Sequence, residues 1–319
     1  MTRADGSRAN HAKRFHPNRP VLVLLGAAVL LLYIVVPQVG FFRHSLGSWR
    51  HADLQWLIAA LASLLFSYCL AAGVYTLLAW KHVRYWLTAV VQAGGMFANR
   101  LLPAGAGALG VNYLYLRRQK HTRPQALAVV ALNNLAGFVG NMVVLVVLVF
   151  TTHSRLRPLH LPPVRVLIYV LVAIVIVCAV LALWRKLRRM VWLTVVSTAH
   201  TIAAFRNRPG RLALSLIISM LLAICYAFCL FACARALHLY VPFPVLFIVM
   251  TVGVAGGVVV PTPGGLGGTE AGLVASLIVY GVSSEYALAL ALLYRLFTFW
   301  LPLLFGAVAF IYVERRRYI

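Results

Sequence analysis

Pro261-Thr262-Pro263-Gly264-Gly265-Leu266-Gly267-Gly268-Thr269-Glu270 interrupts an apolar stretch that runs from about Val245 to Tyr280. Proline and glycine break helices, and a carboxylate at membrane depth costs several kcal/mol unless a partner receives it. Irregular backbone survives inside a bilayer only where protein or a water-filled cavity satisfies its polar groups. The decapeptide therefore reads as the break of a helical hairpin, and Glu270 as a functional-site candidate.

The rest of the chain has the composition of a polytopic membrane protein. Its 319 residues are 63% hydrophobic and 11% charged, with a mean hydropathy of +0.91. The net charge of +24 lies in short clusters between apolar runs, where topology determinants and contacts to anionic lipid headgroups belong. No nucleic-acid partner is expected, since no recognised binding module is present.

Val21 to Val36 follows a basic tail with Lys13, Arg14 and Arg19; no small-residue cleavage pattern follows Pro37, so it is taken as the first membrane helix rather than a signal peptide. Further spans are expected at about Leu54–Ala79, Gln125–Phe150, Val164–Leu183, Leu212–Ala236 and Tyr286–Tyr312, each able to supply the roughly 20 residues a crossing needs. Trp86–Leu116 and Val245–Tyr280 are both broken near the middle and read as re-entrant hairpins. The expected fold is all-α, with six membrane-spanning helices plus two broken hairpins. With the N-terminus inside, the basic residues gather in the tail, at Lys81 and Arg84, at Arg117–Arg123, at Arg185–Arg211 and at Arg315–Arg317. The outer loops keep Arg43, Arg50, Arg155, Arg157 and Arg165. This asymmetry places both termini in the cytoplasm and the chain in the cell (inner) membrane.

An internal repeat supports the layout. Pro103-Ala-Gly105-Ala-Gly107-Ala-Leu-Gly110-Val-Asn112 aligns without gaps on Pro261 to Glu270, sharing the proline, Gly107 with Gly265 and Gly110 with Gly268. Ala126 to Leu135 then matches Ala287 to Leu296. The halves, about 21–150 and 164–313, each cross an odd number of times and are therefore inverted, as in many secondary transporters. Residues 1–20 read as a basic, disordered cytoplasmic tail, and residues 185–211 as a basic interfacial segment.

The motif Pro261-x-Pro263-Gly264-Gly265-Leu266-Gly267-x-x-Glu270, followed by a helix carrying Arg295, resembles the second signature of the lysylphosphatidylglycerol synthase transmembrane family, also described as flippase-like membrane proteins. The resemblance runs from about Leu54 to the C-terminus. It implies a membrane domain that binds a lipid with a polar or phosphorylated head and, in some members, moves it between leaflets. In the full synthases a soluble aminoacyl-transferase domain follows; here the chain stops at Ile319, so lysine transfer by this chain alone is not expected. The first repeat departs from the pattern: Asn112 stands where an acid is usual, and Asn133 and Asn134 replace a charged pair.

Candidate substrate-binding residues are Glu270, Arg295, Arg100, Asn112, Asn133, Asn134 and Tyr294. Arginine makes bidentate contacts to phosphate, and helix starts beside the breaks offer backbone N–H groups to anions. Glu270 is open to three roles: accepting from a headgroup amine or hydroxyl, pairing with Arg295, or carrying a coupling proton. Its plainer role is a structural salt bridge; for Arg100 it is snorkelling to the interface, and for the asparagines interhelical bonding. The hairpin breaks are assigned to Pro103, Gly105, Gly107, Gly110, Pro261, Pro263, Gly264, Gly265, Gly267 and Gly268.

Gly105-x-Gly107-x-x-Gly110 spells a dinucleotide-binding pattern, but it follows no strand and lacks the later acid. Cys225, Cys229 and Cys233 form one helical stripe, which cannot close a tetrahedral metal site. No catalytic residue, metal or cofactor is assigned. The leading function class is a lipid-binding transporter or flippase for a phospholipid, an aminoacyl-phospholipid or a polyprenyl-phosphate-linked lipid. Its alternatives are a membrane partner of a separate lipid-modifying enzyme and a non-transporting scaffold.

Overall fold

The computed structural model describes residues 49–102, 105–152, 209–259 and 262–319. The expected tail, the helices at 21–36 and 164–183, most of the basic segment 185–211, and Pro103 and Pro261 lie outside the described residues. The helices in chain order are α1 Leu54–Leu78, α2 Tyr85–Leu101, α3 Ala106–Arg118, α4 Arg123–Thr152, α5 Pro209–Ala236, α6 Phe243–Val259, α7 Gly268–Val279, α8 Ser284–Arg295 and α9 Leu301–Arg315. A single turn at Pro263–Gly265 joins α6 to α7, and a π-helical turn at Leu296–Trp300 carries α8 into α9.

Among the described residues four stretches, Leu54–Leu78, Arg123–Thr151, Pro209–Ala236 and Ser284–Arg315, are long and apolar enough to cross a bilayer. The chain is a multi-pass membrane protein. Local chemistry sets the helix starts. Asp53 caps α1 by accepting from the Gln55 N–H at 2.9 Å. At α4, Thr122 and Gln125 cap each other in the reciprocal Thr-x-x-Gln arrangement.

Four other helices are shorter: α2 has 17 residues, α3 13, α6 17 and α7 12. They pack as two pairs, each folded back on itself. In the first, a methyl group on Gly107 would overlap the Ala98 carbonyl, and Gly95 faces Ala108 and Val111. Gln92 Nε2 donates to Asn112 Oδ1 at 2.7 Å, and Asn112 Nδ2 donates to the Ala108 carbonyl. Asn112 is thus the staple between α2 and α3. In the second pair, Gly253, Gly256 and Gly257 of α6 meet Thr269, Gly268 and Leu273 of α7, with Gly272 set against the Val252 carbonyl. Small residues let these backbones approach closely, which compensates for the absence of a hydrophobic driving force in lipid.

Around these pairs, α1 runs against α5, with the Asp53 N–H on the Ala236 carbonyl at 3.0 Å and Ser63 Oγ on the Cys225 carbonyl at 2.8 Å. Helix α9 closes on α2 where Gly94 meets Phe310 and Gly306 meets Ala93 and Phe97. One core, built from α1, α5, α6, α7 and α8, holds Leu64, Leu230, Phe247, Leu273 and Leu290. A second, centred on Leu78, Tyr115, Leu116, Val129 and Val313, ties the other end of α1 to α3, α4 and α9.

Among the described residues, that second end carries Lys81, the basic loop 117–123 and Arg315–Arg317. Lys81 Nζ donates to the Lys120 carbonyl and Arg117 Nη1 to the His121 carbonyl, both at 2.7 Å. His121, in the α3–α4 loop, accepts the Lys81 N–H on Nε2 at 3.2 Å while Nδ1 faces the Leu116 carbonyl at 3.1 Å. This requires the neutral ring, protonated on Nδ1. Burial holds the imidazole below its ordinary value of 6.5, opposed by backbone hydrogen bonds to Leu116 and Gln119 and reinforced by the Lys81 charge. A depressed value means that the unfolded chain takes the proton first. The contribution of His121 to stability is whole above the unfolded value near 6.5 and is lost as pH falls through the lower folded one. Melting of the detergent-solubilised protein should accordingly fall more between about pH 7.5 and 5 for the unaltered chain than for His121→Gln, which cannot titrate there. Equal acid sensitivity of the two would remove His121 as the titrating clamp.

Candidate functional site

The break in the second short pair is built around three glycines that only this backbone path requires. Gly264 sits at φ +61°, Gly265 at φ +67° and Gly267 at φ +79°, all at positive φ that side chains avoid. Gly264 packs so closely against the Phe299 ring that a methyl group there would overlap it, and the same methyl would lie 3.4 Å from the Arg100 Cα. The turn between α6 and α7 therefore rests on the end of α2.

Glu270, in the first turn of α7, binds on both oxygens. Oε2 accepts the Gly267 N–H and Oε1 accepts Arg295 Nε, each at 2.8 Å. Arg295 Nη2 donates to the Gly264 carbonyl at 3.0 Å. The pair thus joins both sides of the break to α8, and of the three roles open to Glu270 the structure shows the pairing. Arg295 and Glu270 are 8% and 13% exposed at the side chain, so solvent screens them little.

Arg100, the last-turn arginine of α2, does not snorkel: it is 8% exposed and points inward. Its Nη2 donates to the Thr298 carbonyl. That carbonyl is available because Pro302, four residues on, has no N–H to return to it. Arg100 and Arg295 lie 5.8 and 4.6 Å from the centre of the same Phe299 ring. The π-helical turn at Leu296–Trp300 immediately follows Arg295 and presents Thr298 and Phe299 to the two guanidinium groups, and such turns recur at functional sites.

The charges do not cancel. Glu270–Arg295 is the ion pair among the described residues, and Arg100 has no carboxylate there. Arg100 Nε is buried and has no hydrogen-bond partner among the described residues. Tyr68 of α1, Tyr226 of α5 and Tyr294 of α8 lie within electrostatic reach of Arg100. A single buried positive charge in excess, ringed by phenols and helix breaks, suits an anion.

Of the residues expected from sequence, Glu270, Arg295, Arg100 and Tyr294 come together, with Gly264 and Gly267 shaping the turn. Asn112 is committed to Gln92 instead. Asn133 is half-buried and Asn134 exposed on α4, and neither makes a hydrogen bond among the described residues. Gly110 has open space where its side chain would be, so its match to Gly268 is not a packing requirement. Sequence reasoning missed Tyr68, Tyr226, Thr298 and Phe299. Only Phe299 had a signal, four residues after Arg295 on one helix face; nothing separated Tyr68 from the other tyrosines.

A comparison with protein families matches residues 21–306 to the lysylphosphatidylglycerol synthase TM region. The match starts ahead of Leu54, where the motifs placed the beginning of the resemblance. A comparison with curated proteins finds no match. Because the family model covers most of the chain, and the motif that carries the resemblance forms the turn that Arg295 binds at the Gly264 carbonyl, the chain belongs to the family of the lysylphosphatidylglycerol synthase TM region.

Proposed function

We propose that this protein binds and translocates a membrane lipid with an anionic or phosphorylated headgroup, using the site where the turn between α6 and α7 meets the end of α2. The observation that carries the reading is Arg100, a guanidinium 8% exposed with no carboxylate partner among the described residues and with Arg295 on the same aromatic ring. An uncompensated buried charge is costly, and a phosphate group offsets that cost with charge-assisted hydrogen bonds. The broken pairs act as re-entrant hairpins of two inverted halves, entered from opposite sides, so that one site serves both leaflets in turn. The basic end faces the cytoplasm of a cell membrane, with both termini on that side.

Reconstitution tests this directly. Liposomes containing a headgroup-labelled phosphatidylglycerol are exposed to a membrane-impermeant quencher. Protein-containing vesicles are expected to lose the inner-leaflet signal as well as the outer. Protection of the inner leaflet equal to that of protein-free vesicles, with correctly inserted protein, would remove the transport reading.

A further inference from the structure

Two unsatisfied polar atoms point to one ligand. Arg100 Nε and the Tyr68 hydroxyl are both buried and without a hydrogen-bond partner among the described residues. Their residues are 8% and 7% exposed, and each lies within electrostatic reach of the other. They come from different helices, α2 and α1, and each is anchored by other contacts. The Arg100 Nη groups face the Thr298 carbonyl and Met96, and the Tyr68 ring packs edge-on against Phe305 at 5.5 Å. The two free donors are therefore fixed in place rather than able to turn toward a protein acceptor. Buried donors in native proteins are almost always paired, so each of these two needs an acceptor.

Charge narrows the acceptor. Arg100 and Arg295 against Glu270 leave one net positive charge, and both Glu270 oxygens are already engaged. Asn112 adds no charge and is tied to Gln92. A headgroup carrying free ammonium groups would meet this excess positive charge with no unengaged carboxylate to receive it.

We propose that the lipid is one of net negative headgroup charge, whose unesterified phosphate oxygen is held between Arg100 Nε and the Tyr68 hydroxyl, and that headgroups made cationic by an aminoacyl ester are rejected. This rests on the lipid-binding reading above and selects among its substrates. Tyr68 is a specificity residue, distinct from the Glu270–Arg295 pair that holds the turn.

The test measures binding of dioleoylphosphatidylglycerol, its lysyl ester and dioleoylphosphatidylcholine to the purified full chain by native mass spectrometry, with inorganic phosphate as competitor. Phosphatidylglycerol is expected to bind about tenfold or more tightly than the other two, and millimolar-range phosphate is expected to leave it bound. Tyr68→Phe should weaken phosphatidylglycerol binding about tenfold while raising the Tm of lipid-free protein, because it deletes a buried hydroxyl that has no partner. A merely structural tyrosine would lower Tm instead. Arg100→Gln should weaken binding similarly, and the double variant should be no weaker than the worse single one, since both donors share one oxygen.

The lysyl ester binding as tightly as phosphatidylglycerol would overturn the inference, as would phosphatidylglycerol affinity unchanged by Tyr68→Phe. Displacement of the lipid by equimolar phosphate would overturn it too, by making this a free-anion site. The headgroup ranking is made on the unaltered chain and does not depend on either variant folding. Failure of the ranking with translocation intact would sink this inference alone; absence of translocation for every lipid would sink the reading beneath it.

Discussion

Gly107→Ala is expected to destabilise the protein by about 3 kcal/mol or more, enough to empty the membrane of folded chain, while Gly110→Ala changes little. Both glycines belong to the same repeat and both align with glycines of the second break, so sequence treats them alike. Their surroundings differ completely. A methyl on Gly107 runs into the Ala98 carbonyl and lies 2.6 Å from the Asn99 amide nitrogen, atoms of backbone that can only yield by parting α2 from α3. Gly110 meets nothing within 4 Å. Because α2 and α3 are short, at 17 and 13 residues, losing their contact would leave backbone groups at their ends unsatisfied, and in lipid each such group is costly. Expression of folded, monodisperse protein and the Tm in detergent check this. Parental Tm for Gly107→Ala would mean that the first turn of α3 is not seated on α2.

Arg295→Ala is expected to abolish lipid translocation and to cost about 3–5 kcal/mol of stability. It leaves Glu270 charged and largely buried with only the Gly267 N–H, and it strips the Gly264 carbonyl of its donor. Glu270→Gln retains size and one acceptor, so its loss of stability should be smaller, with transport still lost; Arg295 then keeps an uncompensated charge beside Arg100. The informative measurement is the pair of apolar replacements, Glu270→Leu with Arg295→Met. Removing both charges together is often tolerated where removing one is not. The double variant should recover Tm relative to Arg295→Ala and remain inactive. Recovery of transport along with stability would reduce the pair to a structural link.

The helix boundaries were largely legible because they depend on local signals. Apolar runs of sufficient length place α1, expected at Leu54–Ala79 and found at Leu54–Leu78, and α4, expected at Gln125–Phe150 and found at Arg123–Thr152, within two residues at each end. The two broken stretches were legible for the same reason, since proline and glycine interrupt a helix wherever they stand in it. Glu270 and Arg295 were recoverable because charge at membrane depth is rare and must find a partner. Arg100 is the instructive case. Close to a helix end, it reads equally well as a snorkelling side chain, and only the Thr298 carbonyl within the π-helical turn shows that it turns inward.

Sequence alone determined a multi-pass helical protein with two interrupted short pairs and one buried acid, because hydropathy, helix breakers and ionisable residues act through the chain's own length and composition. Tertiary structure decided which of the repeat's shared residues matter. It separated Gly107 from Gly110 by whether backbone lies opposite, assigned Asn112 to Gln92 rather than to the site, and brought Tyr68 to Arg100 from a different helix. Those outcomes depend on distances between segments far apart in the chain. A hydroxyl or a guanidinium carries no mark in the sequence of the neighbour it will meet.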